Sequence, residues 1–221
     1  MAPAHLVVLR TWMKGTQVGG ARSTIRASAV DVKTWVAEVP DVDAVRPAVC
    51  PCCGRPGQPA GERLGIIGHG LRDRQQRGPA VAGGTPQLIV VRVRRYACLC
   101  GAILTVMPRE TLPTRLYTIS AVGWALALFG IDGVSPQQVR CRTSPWAIVG
   151  ATAAAGWATL RRWVAAIRDC RLLPEVRACP SDFTARQVAE RAAATMAAFA
   201  PPTMTAMPIA ARAFVGAARL G

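Results

Sequence analysis

Two cysteine clusters place the tightest constraint on how this chain folds. Cys50-Pro51-Cys52-Cys53-Gly54 and Cys98-Leu99-Cys100-Gly101 lie far apart in the sequence, each compact enough for a reverse turn and each closed by glycine. Two such turns brought together offer four soft ligands in the tetrahedron that a divalent ion such as Zn2+ prefers. Glycine after each pair allows positive φ, so that backbone amides can point at the sulfurs. The first pair has C-x-x-C spacing, whereas the second is C-x-C, one residue shorter than usual. Cys98 and Cys100 can both bind in a tighter chelate, or Cys52 or His69 can supply one ligand; cysteines that only pack are the alternative. A catalytic metal is disfavoured, because such sites draw on histidine and carboxylate, and only two histidines occur.

Between the clusters the pattern is that of strands and turns, which together with the thiol pairs reads as a zinc ribbon. Leu64 to Arg72 predicts a short strand and Gln87 to Tyr96 a longer one. Alternation in the longer strand puts Ile89, Val91 and Val93 on an apolar face, and Val90, Arg92, Arg94 and Tyr96 on a basic face. Pro79, Gly83, Gly84 and Pro86 break the chain between the two strands. From Arg46 to Arg115 there are eleven arginines against three acids, Glu62, Asp73 and Glu110, so more than half of the net charge of +15 falls in under a third of the chain. Such an imbalance points to a polyanion, with nucleic acid the first choice and an acidic membrane surface the second.

Eight cysteines without a signal-peptide core argue for reduced thiols and a cytoplasmic, nucleoid-associated protein. Leu116 to Ile131 and Thr143 to Leu160 lack charge. Both are short for a bilayer and diluted by small and polar residues, so no membrane span is expected. Residues 1–45 form an arm in which Ser28 to Val36 reads as a strand or a short amphipathic helix.

Beyond Pro113 the signals turn helical. Tyr117 to Ile131 is an apolar helix that Gly130 and Gly133 can end. Ser135-Pro136-Gln137-Gln138 starts a short helix to about Cys141. Thr143-Ser144-Pro145 starts a third, to about Ala154, and after Gly156 a fourth runs from Trp157 to Asp169. The last two have helix-turn-helix proportions. On the fourth, Trp157, Leu160, Val164 and Ile167 form a core stripe, while Ala158, Arg161, Arg162, Ala165 and Arg168 lie opposite. Three arginines among small residues can lie along a groove and contact phosphates or guanine edges; a solvated helix face is the plainer reading. Ser181 to Thr184 opens another helix towards Phe199, stopped by Pro201-Pro202, and Pro208 to Leu220 is a last helix or a frayed tail. Either can pack on the helical region or mediate self-association.

Cys50-Pro51-x-Cys53-Gly54, Gly68-His69-Gly70-x-x-x-Arg74, Val93-Arg94-Arg95-Tyr96-x-Cys98, Leu104-Thr105-Val106-Met107-Pro108 and Tyr117-Thr118, in that order, resemble transposase-type zinc ribbons. The chain is similar over residues 46 to 170 to an uncharacterised bacterial family in which such a ribbon precedes a helix-turn-helix. Trp157-x-Thr159-Leu160-x-Arg162-Trp163 resembles the last helix of that family. The residue patterns and the resemblance together give an α+β chain: an arm (1–45) and C-terminal helices or tail (171–221) read from the residues, and between them the zinc ribbon (46–112) and helix-turn-helix-like domain (113–170) that the resemblance implies. It implies DNA binding, places structural Zn2+ on Cys50, Cys53, Cys98 and Cys100, and gives His69 a structural or phosphate-contact role. With the charge pattern it makes Arg72, Arg74, Arg92, Arg94, Arg161, Arg162 and Arg168 the candidate DNA contacts. Only Asp169, Glu175, Asp182 and Glu190 follow Ile167, in a segment too short for the carboxylate-bearing nuclease fold of cutting transposases, so no enzyme activity is expected. An accessory transposase subunit that recognises element ends and a ribbon that binds protein are the other readings.

Overall fold

A computed structural model describes residues 16–18, 21–113, 115–146 and 156–220. The architecture is α+β. Strands β1 (Thr16–Val18) and β2 (Ala21–Ala27) are followed by helix α1 (Val32–Ala37), then by β3 (Ile66–Pro79), β4 (Pro86–Cys98) and β5 (Ile103–Met107). Helices α2 (Ile119–Gly130), α3 (Pro136–Thr143), α4 (Ala158–Arg168), α5 (Ala185–Ala198) and α6 (Ile209–Ala218) complete the described chain. The strands lie in the order β1-β2-β5-β4-β3.

Two compact units share the chain. One comprises the described residues up to Arg26 with Asp41–Leu71 and Arg94–Val106; the other comprises Ala27–Pro40, Arg72–Val93 and the described residues from Met107 onward. The segment 46–112, read from sequence as one ribbon, is therefore divided, because β3 and β4 each contribute to both units. At about 3.3 Å per residue, a 13-residue strand is roughly 43 Å long, more than one small unit can cover.

That length explains two departures from the sequence reading. The first strand does not stop at Arg72 but continues through polar Asp73, Gln75 and Gln76 to Pro79. In β4 the apolar face holds only at the start: Val91 and Val93 are buried and Arg92 is exposed, but Tyr96, expected on the basic face, is fully buried. Its hydroxyl donates to the Val42 carbonyl at 2.7 Å, and it pairs in register with buried Leu104 of β5. Odd residues are covered in one unit and even residues in the other.

The helical unit is built around α2. Ten of its twelve residues are buried, which suits a helix that is apolar all round. Thr118 caps it by accepting the Ala121 amide, as Ser135 caps α3 and Thr184, with Gln187, caps α5 in a reciprocal capping box. Helices α5 and α6 pack on α2 and on each other. Their buried faces are mostly alanine, and a Cβ added at Gly216 would come within 1.8 Å of the Met196 carbonyl oxygen. The sequence after Pro208 is thus a packed helix and not a frayed tail. Tyr117, Trp157 and Trp163 meet edge-to-face, with centroids 5.1 to 5.6 Å apart.

The fourth sequence-predicted helix is α4, with Leu160, Trp163, Val164 and Ile167 buried. Of the third, Pro145 and Trp146 form a bend; its remainder lies outside the described residues. No helix among the described residues is long and apolar enough to cross a membrane.

Candidate metal centre and basic surfaces

The first cysteine turn is closed by backbone hydrogen bonds. The Cys50 amide donates to the Arg55 carbonyl and the Gly54 amide to that of Cys50, both at 2.9 Å. At the end of β4 the Cys98 amide donates to the Ala102 carbonyl and the Gly101 amide to that of Cys98, again at 2.9 Å. Gly54 and Gly101 take φ of 71° and 84°, a region that L side chains avoid. The Leu99 amide donates to the Gly65 carbonyl, which ties the second turn to the start of β3.

These turns bring Cys50, Cys53, Cys98 and Cys100 together, with all four sulfurs within 4.8 Å of one another. The Cys50 and Cys100 sulfurs are 3.8 Å apart and those of Cys53 and Cys98 are 3.7 Å apart. A tetrahedral ion with metal–sulfur bonds of about 2.3 Å has a sulfur–sulfur edge of about 3.8 Å. The donor set fits one tetrahedral soft ion, and four cysteines can hold a metal here. The short C-x-C pair therefore contributes both sulfurs. Cys52 lies outside the four, its sulfur 3.8 Å from the Thr24 hydroxyl, and His69 is exposed and outside the cluster.

The thiols differ in ionisation. The Arg55 amide hydrogen bond, with support from neighbouring thiols, holds the exposed Cys53 at about 7. Burial pushes Cys98 up to about 12. Near neutral pH the first is thus partly thiolate and the second keeps its proton until a bound cation displaces it.

The candidate nucleic-acid contacts divide by environment. Arg72 and Arg92 are exposed and Arg94 is half-buried. Arg74 departs from its expected role. Its Nη2 donates to the carbonyls of Leu112, Pro113 and Arg115 at 2.9, 2.6 and 3.2 Å, so this guanidinium clamps the chain that leads into α2. Burial and the charge of Arg72 lower its pKa. On α4, Arg161, Arg162 and Arg168 are exposed with Ala158 and Ala165, opposite the buried stripe. Arg168 also donates to the Phe183 carbonyl at 2.5 Å.

One pairing had no local signal. The Arg77 guanidinium lies 5.5 Å from the centroid of the Trp146 ring, and that indole is 49% exposed. The partners come from a strand and from a bend after α3, and neither belongs to a motif. Compared with known protein families, curated proteins and solved structures, the chain has no match.

Proposed function

We propose that this chain is a non-catalytic DNA-binding protein of regulatory or transposase-derived type, its ribbon-like unit held by a structural Zn2+ on Cys50, Cys53, Cys98 and Cys100. The observation that carries the reading is the solvent side of α4. Arg161, Arg162 and Arg168 share it with two alanines while every large apolar residue of the helix is turned inward. A cationic stripe with small neighbours can approach a duplex closely enough for guanidinium groups to reach phosphates or guanine edges. Arg72, Arg92 and Arg94 add charge elsewhere, and the net +15 supplies long-range attraction.

Zn2+ supplies folding free energy in this reading and no chemistry, since four thiolates leave no open position for substrate. The test is fluorescence anisotropy with a labelled duplex between 50 and 200 mM salt. Binding should weaken along a log–log line whose slope is about −0.9 per neutralised phosphate. Replacing Arg161 and Arg162 by alanine should weaken binding and flatten that slope by nearly 2. Unchanged affinity in this variant would remove α4 from the interface and favour a protein partner.

A further inference from the structure

Trp146 is the most exposed tryptophan among the described residues: Trp35, Trp157 and Trp163 are buried and Trp124 is partly buried, whereas nearly half of the Trp146 surface meets solvent. A half-exposed indole with an arginine over its ring is accessible to a ligand. The Trp146 amide donates to the Ser144 hydroxyl at 3.4 Å, and the same oxygen accepts the Tyr117 hydroxyl at 3.0 Å. Tyr117 is locked by edge-to-face contacts with Trp157 and Trp163.

The strand that carries Arg77 is fixed to the same point. The Arg77 amide donates to the Leu116 carbonyl at 2.7 Å and its carbonyl accepts the Thr118 amide at 3.2 Å, on either side of Tyr117. Guanidinium and indole are thus both referred to Tyr117, which is 6% exposed. Arg77 Nη2 donates to Gln75 Oε1 at 3.3 Å, which steadies the planar group beside the ring. The local charge is positive: between Val134 and Trp146 the chain carries Arg140 and Arg142 and no acid.

The geometry points to Trp146 and Arg77 as a stacking platform for an unpaired base of a nucleic acid strand. With Arg77 over one face of the ring, the exposed part of the indole offers a π surface to any base, and the guanidinium offers charge to the backbone that carries the base. Duplex DNA keeps its bases stacked on each other, so this site takes a single strand or an extruded nucleotide. The inference rests on the nucleic-acid reading above and deepens it by naming the form of the ligand.

The experiment titrates the full-length, zinc-loaded chain with a twelve-residue oligothymidylate, a duplex of equal length and heparin, a polyanion without bases, all at one salt concentration. Trp146→Ala should weaken oligothymidylate binding roughly 5- to 150-fold, the range for losing one stacked base. Trp146→Phe should recover most of it, and heparin affinity should not change. Equal oligothymidylate affinity in wild type and Trp146→Ala, with duplex binding intact, overturns the platform and leaves the DNA-binding reading standing. An equal loss on heparin, or no recovery with phenylalanine, overturns it as an effect of fold or charge. If the wild type binds neither nucleic acid, both readings fall together.

Discussion

Cys53→Ser and Cys52→Ser are adjacent changes with the same chemistry, and the structure gives them opposite consequences. Cys53 belongs to the four-sulfur cluster; Cys52 is turned towards Thr24 and is not part of it. Losing an outer-shell partner typically weakens metal binding 10- to 100-fold, so losing one of four thiolates should cost at least about 100-fold. With metal in excess, a 100-fold loss lowers stability by about 2.7 kcal/mol, because the ion stabilises the folded state in proportion to the logarithm of its affinity. Among the described residues of the unit that holds the cluster, the large apolar side chains that are buried are Val45, Ile66, Tyr96, Leu104 and Val106. A metal that ties two turns of such a unit together adds to its folding free energy. A loss of 2.7 kcal/mol from a unit of this size should drop its thermal midpoint by roughly ten degrees or more. The assay is elemental analysis after gel filtration, with hydrogen exchange read at the β5 amides and at α2. Wild type and Cys52→Ser should each retain one zinc per chain. Cys53→Ser should lose metal and β5 protection while α2 stays protected. Full zinc and an unshifted midpoint in Cys53→Ser, or equal damage from Cys52→Ser, would refute the four-ligand assignment.

Cys98, pushed up to about 12 by burial, is protonated at neutral pH without metal and must lose that proton to bind, so affinity rises with pH. Competition titrations between pH 6 and 8 should give log affinity a slope of at least one; a flat profile would exclude a Cys98 thiolate from the site. In the helical unit, Gly216→Ala drives a methyl group into the Met196 carbonyl oxygen, a backbone contact that no rotamer relieves. It should destabilise by about 3 kcal/mol or more, seen as a lower midpoint in the helical circular dichroism signal; a neutral effect would contradict the close approach of α5 and α6.

The legible features were those governed by neighbours in sequence. Ser135, Thr184 and Gly133 punctuate helices because a cap or a left-handed residue acts within one turn, and the two cysteine turns announce themselves by glycine at the fourth or third position after the first thiol. The stripe on α4 was visible because 3.6-residue periodicity is a local property. Three matters were not decided locally. The choice of Cys100 over Cys52 or His69 depended on where two distant turns meet, and the sulfur separations settle which four come together. The burial of Tyr96 depended on a change of covered face along a strand longer than one unit, which alternation alone cannot register. Arg74 looks like any surface arginine in sequence, yet three carbonyls from the 112–115 segment claim its guanidinium. In sequence, then, this chain fixes its turns, caps and helical faces, because those arise from contacts a few residues apart. Tertiary structure alone selects which thiols, aromatics and guanidiniums become partners, because their energies depend on separations that only the folded backbone sets.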